Sequence, residues 1–461
     1  MAKRKKKTRV VAGALPDDAL AVVLACLPAP SLAASRRVCS TWRDLVDERR
    51  LLDRHLQLHS VRGLFVNYGD HIYPHFFARP MRKVDGKFGF IEDGLKRRTV
   101  LLDHCNGLVL LYTKSIDGGG QMYVCNPATR RWARLPACAS GHWTADRRAF
   151  LAFDPVTSPQ YYEVLLAPHL PSEFSKRRSM EWPPSRWTWP VFSSRDGQWG
   201  NRTSIREGEA AGTVAGLREN TKYAQETSTL WLSATYWKGA LYLNFFGEYV
   251  FRMILTYVGA TTYLGKSEKG MCFATVHHDH CQLRVWMLHE LCEGTEWVLM
   301  NQSDLKPFVW WATELAESSN PEHKEQHAGV PWLLDDCNHI RETKKRNEAW
   351  RWQEHESEWD SDGDDAIDIA SIHSDKDSWK TVPRGVDYNI LGFYPYKEVV
   401  LLHASYVAVA YHLKNSKVHR LGSLCPSEAI DKSFVYTPCR IGDGGINRML
   451  KVRIIKLCKP S

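Results

Sequence analysis

Three histidines and one cysteine within five residues are the side chains of this sequence that come closest to a metal site. They are His277, His278, His280 and Cys281, and imidazole nitrogen and thiolate sulfur are ligands that zinc prefers. However, the four lie together at a predicted hairpin tip, and no distant Cys/His pair is placed to complete a tetrahedron. We therefore interpret them as polar turn residues, and the sequence predicts neither a metal nor a cofactor.

A glycine-containing segment has the outline of a phosphate-binding loop. Residues 259–267 read GATTYLGKS, but the GxxxxGK[ST] pattern would require a glycine at Ala260. The residues that follow are of strand type, so no helix amino terminus would face a bound phosphate. We predict a hairpin turn at Lys266–Gly270 instead of a nucleotide site.

Side chains suited to nucleophilic catalysis occur, but not in an identifiable pair. His104 precedes Cys105, and Ser233 lies near Tyr236. A nucleophile needs a base within hydrogen-bonding reach, and nothing in the spacing of these residues establishes such a contact. We therefore predict that the chain is not an enzyme.

The composition indicates a β-rich protein with a substantial core. The chain has 461 residues, of which 44% are hydrophobic and 25% charged, and it contains 18 Trp, 18 Tyr and 16 Phe. Aromatic residues are enriched in strands. No window of about 18 residues is continuously apolar, so the sequence predicts no membrane-spanning helix.

The net charge of +9 is concentrated at the amino terminus. Six basic residues lie between Lys3 and Arg9, which leaves +3 for the remainder. A nearly neutral body does not favour nucleic acid as a partner. We predict that residues 1–12 are a disordered basic tail, serving either as a nuclear-import signal or as a solubilising end. A nucleic-acid tether is a weaker, third interpretation of this tail.

The cysteines indicate a reducing compartment. Twelve cysteines are scattered along the chain without a CxxC pair, which is typical of reduced thiols in a chain of this size. Asp17 and Asp18 stand where the apolar region of a secretory signal would begin, and they argue against secretion. We expect the protein in the cytoplasm, the nucleus or both.

The first fifty residues carry the pattern of a small helical module. Pro16 followed by Asp17 and Asp18 suits the start of a helix, and an apolar stripe with helical spacing follows. A second short helix is predicted after Ser31, and a third begins at Ser40 or Thr41. The stripe of the first helix consists of Leu20, Val23, Leu24 and Leu27, and the face of the third consists of Trp42, Leu45 and Val46.

This pattern resembles the F-box. The matching segments are LPDD at 15–18, Leu27-Pro28, Ser31-Leu32 and VCSTWRDL at 38–45, and we assign the F-box to residues 13–53. The resemblance implies docking on a Skp-type adaptor, which joins the module to a cullin scaffold in an SCF ubiquitin ligase. An alternative for individual residues, above all Leu24 and Trp42, is packing within the module alone. The residues that match adaptor-binding positions are Leu15, Pro16, Leu20, Leu24, Leu27, Pro28, Leu32, Val38 and Trp42.

The long remainder has the pattern of a degenerate β-propeller. Short apolar runs alternate with turn residues, and Asn106-Gly107 between two such runs is a strong hairpin signal. Hairpin pairs recur at intervals of very roughly 40–50 residues, which suggests about six blades, or about seven, each a four-stranded sheet. We place blades near 101–136, 148–192, 229–265, 270–302 and 388–422, with 61–80 and Phe434–Cys439 closing the ring together.

The propeller-like domain, assigned to residues 60–440, also resembles the F-box-associated regions of a large, grass-type family of plant F-box proteins. The matching segments are Asn126–Pro136, Ala149–Val164 and Tyr263–Ala274. The resemblance implies a substrate-recognition domain. The fold class we predict is therefore mainly β, with a three-helix F-box module before the propeller.

An acidic insertion interrupts the propeller at residues 342–382. Between Arg346 and Lys380, eleven acidic residues stand against four basic ones, which is typical of a solvated, disordered segment. The predicted role is either a solvated loop or an acidic docking segment for a basic partner.

These observations lead to a main hypothesis and an alternative. The main hypothesis is a non-enzymatic substrate receptor, which binds the adaptor through the F-box and an unknown protein substrate through the propeller. The alternative is a propeller that binds a ligand or catalyses a reaction, with the helices as a cap. It predicts carboxylates or histidines with shifted pKa values in the central channel.

A Trp- and Pro-rich stretch between two predicted strands is the candidate substrate surface. Aromatic and arginine side chains are favoured at protein interfaces, although core packing is the alternative for each Trp. The predicted substrate-binding residues are Trp182, Arg186, Trp187 and Trp189.

Overall fold

The structure, a computed structural model, divides the chain into two compact units, Met1–His59 and Ser60–Ser461. The predicted basic tail at 1–12 lies outside the described residues, as does the acidic insertion at 342–382 apart from 366–368. The described residues are 16–25, 27, 32, 35, 38–49, 51, 61–69, 71–79, 84–91, 98–114, 120–138, 148–155, 158, 160–167, 179–182, 184–205, 210, 212–213, 231–237, 240–245, 260–277, 281–291, 294–317, 332–335, 366–368, 386–424 and 429–439.

The first unit contains the helices α1 (Asp17–Ala25) and α2 (Ser40–Glu48). Asp17 and Asp18 lie in the first turn of α1, where negative charge favours the positive end of the helix dipole. Leu32 and Ser35 are helical and belong to the predicted second helix, the rest of which lies outside the described residues. Among the described residues, the buried core of the unit consists of Ala21, Leu24, Leu32, Leu45, Val46 and Leu51.

The second unit consists of antiparallel sheets, which we number as blades. Blade 1 contains β1 (Gly63–Tyr68), β2 (His75–Ala78), β19 (Leu333–Leu334) and β24 (Ile430–Tyr436). Blade 2 contains β3 (Thr99–Cys105), β4 (Leu108–Lys114), β5 (Gly120–Asn126) and β6 (Arg131–Arg134). Blade 3 contains β7 (Ala149–Phe153), β8 (Tyr162–Leu166), β10 (Arg186–Ser193) and β11 (Gln198–Ile205), and the short pair β9 (Glu181–Trp182) and β12 (Gly212–Thr213) is separate.

Three further sheets follow among the described residues. Blade 4 is the hairpin β13 (Trp231–Trp237) and β14 (Ala240–Phe245). Blade 5 contains β15 (Ala260–Ser267), β16 (Gly270–His277), β17 (Gln282–Leu291) and β18 (Gly294–Asp304). Blade 6 contains β20 (Tyr388–Phe393), β21 (Val399–Ala404), β22 (Val407–His412) and β23 (Val418–Ser423), and the helix α3 (Lys306–Glu317) packs on β21 and β22.

One strand of each blade faces the centre, and these innermost strands contact one another in a closed circuit. In order around the ring they are β24, β3, β7, β13, β15 and β20. Hydrogen bonds link neighbouring blades, as where the Thr235 hydroxyl donates to the Leu264 carbonyl at 3.1 Å and the Ser433 hydroxyl to the Leu391 carbonyl at 2.7 Å. The predicted mainly β propeller is therefore confirmed: the described residues form five four-stranded blades and one hairpin in the remaining position.

Some blade limits differ from those predicted from hairpin spacing. Ala260–Gly265 forms part of the innermost strand of blade 5, not of blade 4 as predicted, and blade 3 extends to Ile205. The helix α3 was not predicted from the sequence; it lies between the predicted blades at 270–302 and 388–422. Ring closure by 61–80 and the strand near Phe434 agrees with the pairing of β1 with β24.

Inside the predicted acidic insertion, Ile367 pairs with the outer strand of blade 6. Its amide donates to the Val418 carbonyl at 2.7 Å, and the Val418 amide donates back at 3.0 Å. Ile367 also packs against the core between blades 5 and 6. Within its described residues, 366–368, the acidic segment is thus anchored to the propeller through Ile367.

We predict that Gly392→Ala destabilises the propeller by about 2 kcal/mol or more. Gly392 has φ +153° at the bulge in β20, and an added Cβ would collide with the Val435 side chain of blade 1. Gly200→Ala is the matched control, because no atom lies within 4 Å of its added Cβ. Urea unfolding of the two variants measures the difference; equal stability would contradict the close approach of blades 6 and 1.

Candidate functional site

The surface of the helical module carries unburied aliphatic side chains. Val22 and Val38 are exposed to 66% and 64%, and Val23 to 52%. Apolar side chains that stay exposed on a small module are available for contact with another molecule. Val22 was not singled out in the sequence because it lies outside the helical stripe that begins at Leu20.

The predicted adaptor-binding residues divide between this surface and the module's core. Leu24 and Leu32 are buried, and Leu20, Leu27 and Trp42 are partly buried against the same core. Val38 and Pro16 are exposed, whereas Leu15 and Pro28 lie outside the described residues. The packing of Leu24 and Leu32 agrees with the alternative of an internal role, and the adaptor role of all nine stays a prediction.

Comparison with known protein families gives this module a name. Residues 14–54 match the F-box domain. The first unit contains an F-box. The predicted limits, 13–53, lie one residue from those of the match.

Curated relatives also carry this name. One F-box protein of Arabidopsis thaliana is 28% identical over 139 residues, which cover 26% of this chain and 37% of that protein. Another F-box protein of the same plant is 32% identical over 126 residues, covering 27% of this chain and 33% of that protein. The chain thus spans about a third of the length of the curated relatives it matches. The grass-type resemblance stays a prediction.

A solved structure, the WD40 domain of SCAP from fission yeast, aligns with 82% of this chain and 52% of that structure at 8% identity. Its TM-score is 0.21, so it carries no argument about this fold. The propeller rests on the strand pairings given above.

The predicted substrate surface is only partly at the surface. Trp189 is 1% exposed in the core of blade 3, and its indole N–H donates to the Ser204 hydroxyl at 3.0 Å. Trp187 is half-buried beside it, with ring centroids 6.0 Å apart, and Arg186 is exposed. Trp182 pairs with Gly212 through its backbone. Because Trp189 is buried, it packs in the core of blade 3 and does not lie on the predicted contact surface.

The two motifs that resembled ligand sites are hairpin turns. The predicted turn at Lys266–Gly270 joins β15 to β16, so the phosphate-loop interpretation is excluded by its strand–turn–strand geometry. His277 ends β16, and the buried Cys281 thiol donates to the Tyr388 hydroxyl at 2.9 Å; His278 and His280 lie outside the described residues. Among the described side chains, no group of three His, Cys, Asp or Glu could hold a metal.

Neither disulfides nor membrane helices occur within the part of the chain that the structure describes. The described cysteines form no disulfide bond. No described helix has the length and apolarity needed to cross a bilayer.

Buried ionisable groups lie on or beside the innermost strands, near their middle and near their amino-terminal ends. The Asp103 carboxylate accepts a hydrogen bond from the Leu151 amide at 2.7 Å, yet burial raises its pKa to about 7. Burial, together with the nearby Arg148 charge, lowers the pKa of Lys432 to about 7. Asp431 and Asp103 partly offset that effect.

A second polar group lies where the innermost strands end, and we call this end the channel mouth. The Lys266 ammonium donates to Asn106 Oδ1 at 3.1 Å, and the Asn106 amide donates to the Phe153 carbonyl at 2.7 Å. The Tyr236 hydroxyl donates to Asp154 Oδ2 at 3.3 Å. These residues come from blades 2, 3, 4 and 5.

Burial sets the protonation states at the mouth. Burial raises the pKa of the Cys105 thiol to about 12, which keeps it protonated and weakly nucleophilic at neutral pH. Burial and the Lys266 charge lower the pKa of His104 to about 4, so its ring is neutral. Asp103 and His104 are thus a carboxylate and a histidine with shifted pKa values on an innermost strand, the kind of residue that the ligand-binding alternative requires; sequence spacing could not reveal these shifts.

Asp103 yields a prediction about pH. Its folded-state pKa of about 7 lies above the ordinary 3.8, so the stability it contributes is present at low pH and is lost as the pH rises from about 4 to about 7. In Asp103→Asn, the amide oxygen can still accept from Leu151. We therefore expect the variant's free energy of unfolding to rise relative to wild type by about 1 kcal/mol per pH unit over this range.

Urea unfolding at several pH values measures this difference. Asp196→Asn, in the exposed turn between β10 and β11, is the matched control and is expected to follow the wild-type profile. A constant difference between Asp103→Asn and wild type from pH 4 to pH 7 would contradict the assigned burial of this carboxylate.

Proposed function

We propose that this chain is the substrate-recognition subunit of an SCF-type cullin ubiquitin ligase. The observation that carries the proposal is the F-box at residues 14–54 with its exposed valines. In this proposal the F-box binds a Skp-type adaptor, and through it a cullin. The protein acts in the cytoplasm, the nucleus or both.

The chemistry of ubiquitin transfer then belongs to the partner enzymes. A receptor contributes by holding its substrate near the activated ubiquitin, which raises the effective concentration of the substrate's lysines. The protonated state of Cys105 supports this division, because a buried thiol with a raised pKa is a poor acceptor for a thioester. The receptor is accordingly non-enzymatic.

The propeller is the proposed platform for a protein substrate. Its strands are committed to packing between blades, so recognition falls to loops and edges. Arg186, Trp187 and Trp182 on blade 3 and the β9–β12 pair remain the proposed contact residues, with Trp189 as the buried support beneath Trp187.

We predict that Val23→Asp/Val38→Asp weakens adaptor binding at least about tenfold, because charged groups would replace exposed apolar contacts that become buried in the complex. Both valines are exposed, so the substitutions do not place charge in the module's core. The full chain, co-expressed with a plant Skp-type adaptor, is captured on the adaptor and the bound fraction is titrated.

Ser40→Asp/Thr41→Asp is the matched control, because it adds the same two negative charges at exposed polar positions of α2. Leu24→Asp is unsuitable, since it would unfold the core. Failure of the wild-type chain to bind the adaptor would overturn the proposed function. Equal binding by wild type and the double valine variant would exclude the valine surface as the interface.

A further inference from the structure

The Lys266 ammonium spans the mouth of the central channel. Lys266 belongs to blade 5 and its acceptor, Asn106 Oδ1, belongs to blade 2 on the opposite side of the ring. The charged nitrogen therefore lies across the channel instead of along its wall. In the described part of the chain, Asn106 Oδ1 is its one hydrogen-bond acceptor, while an ammonium has three N–H donors.

His104, two residues before Asn106 in the chain, adds an unused acceptor. The ring bonds to the backbone of Val435, and its Nδ1 is buried without a hydrogen-bond partner among the described residues. Lys266 is close enough to act on the charge of this ring. A buried polar atom without a partner costs about 1–3 kcal/mol, which a ligand at the mouth could recover.

The donors of Lys266 and the acceptor of His104 together define a complementary ligand. The ammonium requires an acceptor, and an anionic oxygen gives the strongest hydrogen bond. The neutral His104 Nδ1 requires an N–H or O–H donor. A carboxylate with an N–H two bonds away, as in an N-acylated amino acid, supplies both groups within a few ångströms.

The surrounding charges select a monoanion. Lys266 supplies a single positive charge, and Asp154 lies close enough to interact with it. Lys266 and Asp154 together sum to about zero charge, so a bound carboxylate leaves the mouth at about −1 and a dianion such as phosphate leaves it at about −2; the monoanion is the less disfavoured of the two. The neighbouring Cys105 thiol and Tyr236 hydroxyl are neutral at physiological pH.

We propose that the channel mouth binds a carboxylate that carries an adjacent N–H, with Lys266 receiving the carboxylate and His104 Nδ1 the N–H. Two sources share this chemistry, an N-acylated amino acid and the carboxyl-terminal residue of a polypeptide. The site does not depend on the F-box, so it stands whether or not the chain binds a Skp-type adaptor.

The test is titration of the full chain with N-acetylglycine by calorimetry or ligand-observed NMR. N-acetylglycinamide lacks the negative charge, and acetoxyacetate has an ester oxygen in place of the N–H. We expect N-acetylglycine to bind at least about tenfold more tightly than the amide and about fivefold more tightly than the ester. These ligand pairs test both contacts without altering the protein.

Variants then locate the site. Lys266→Met is expected to weaken N-acetylglycine at least about tenfold, and His104→Phe is expected to abolish the preference for N-acetylglycine over acetoxyacetate. Lys269→Met is the matched control, because Lys269 lies three residues away and pairs with Glu398 at 2.5 Å on blade 6. It should bind as wild type does.

A pool of N-acetylated octapeptides of randomised sequence distinguishes a polypeptide carboxyl terminus from a free N-acylated amino acid as the ligand. The peptides end either in a carboxylate or in a carboxamide. Carboxylate-dependent binding of the pool, sensitive to Lys266→Met, supports a polypeptide carboxyl terminus; binding of N-acetylglycine alone supports a free acid. The proposal is overturned if wild type binds none of these carboxylates, or if Lys266→Met binds them unchanged. Lys266→Met should be captured on the adaptor as wild type is. Failure of carboxylate binding is therefore distinguishable from failure of adaptor binding, which would overturn the proposed function.

Discussion

The pairing of β1 with β24 is the interaction on which the rest of the propeller depends. It joins Gly63 to Tyr436 and Leu64 to Val435 in one antiparallel ladder, so strands from the two ends of the domain share a sheet. The innermost strand of blade 1, β24, therefore comes after all the other blade strands in the chain. The innermost strand of blade 6, β20, lacks its contact with blade 1 until β24 has paired with β1. Since the intervening chain is hundreds of residues long, closure is entropically costly. The interlocking blade contacts, such as Ser433 with Leu391, must together offset that cost.

Closure also creates the channel, because it brings six innermost strands to a common centre. Polar side chains at that centre are partly removed from water, which disfavours their charged forms. Asp103, Lys432 and Lys266 all show that effect, and opposite charges near each of them only partly compensate. Burying such groups lowers the free energy of unfolding relative to apolar residues of the same size. Their presence indicates that the channel is not built for stability alone, which fits a ligand-binding role at the mouth.

Local sequence signals predicted the parts of the structure that depend on neighbouring residues. The Asn106-Gly107 turn has φ of +46° and +90° at its two residues, as expected from this dipeptide between strands, and the acidic start of α1 follows from Asp17 and Asp18. The channel mouth could not be predicted in this way. Asn106 and Lys266 are 160 residues apart, and only the order of blades around the ring places them opposite each other. The same limit applies to Trp189, whose burial depends on which face of β10 meets the blade core.

The size of the F-box links its stability to its partner. Its described core contains six buried side chains, and units of about forty residues rarely bury enough apolar surface to be stable alone. Three of its described valines remain exposed, so the module leaves apolar surface in water that a partner could cover. Binding to the folded module alone would add to its stability by mass action. Leu24 and Leu32 would then serve the adaptor indirectly, because they hold α1 and α2 in the arrangement that presents Val22, Val23 and Val38. Under the proposed function, core packing and adaptor binding would thus place the same requirement on the sequence.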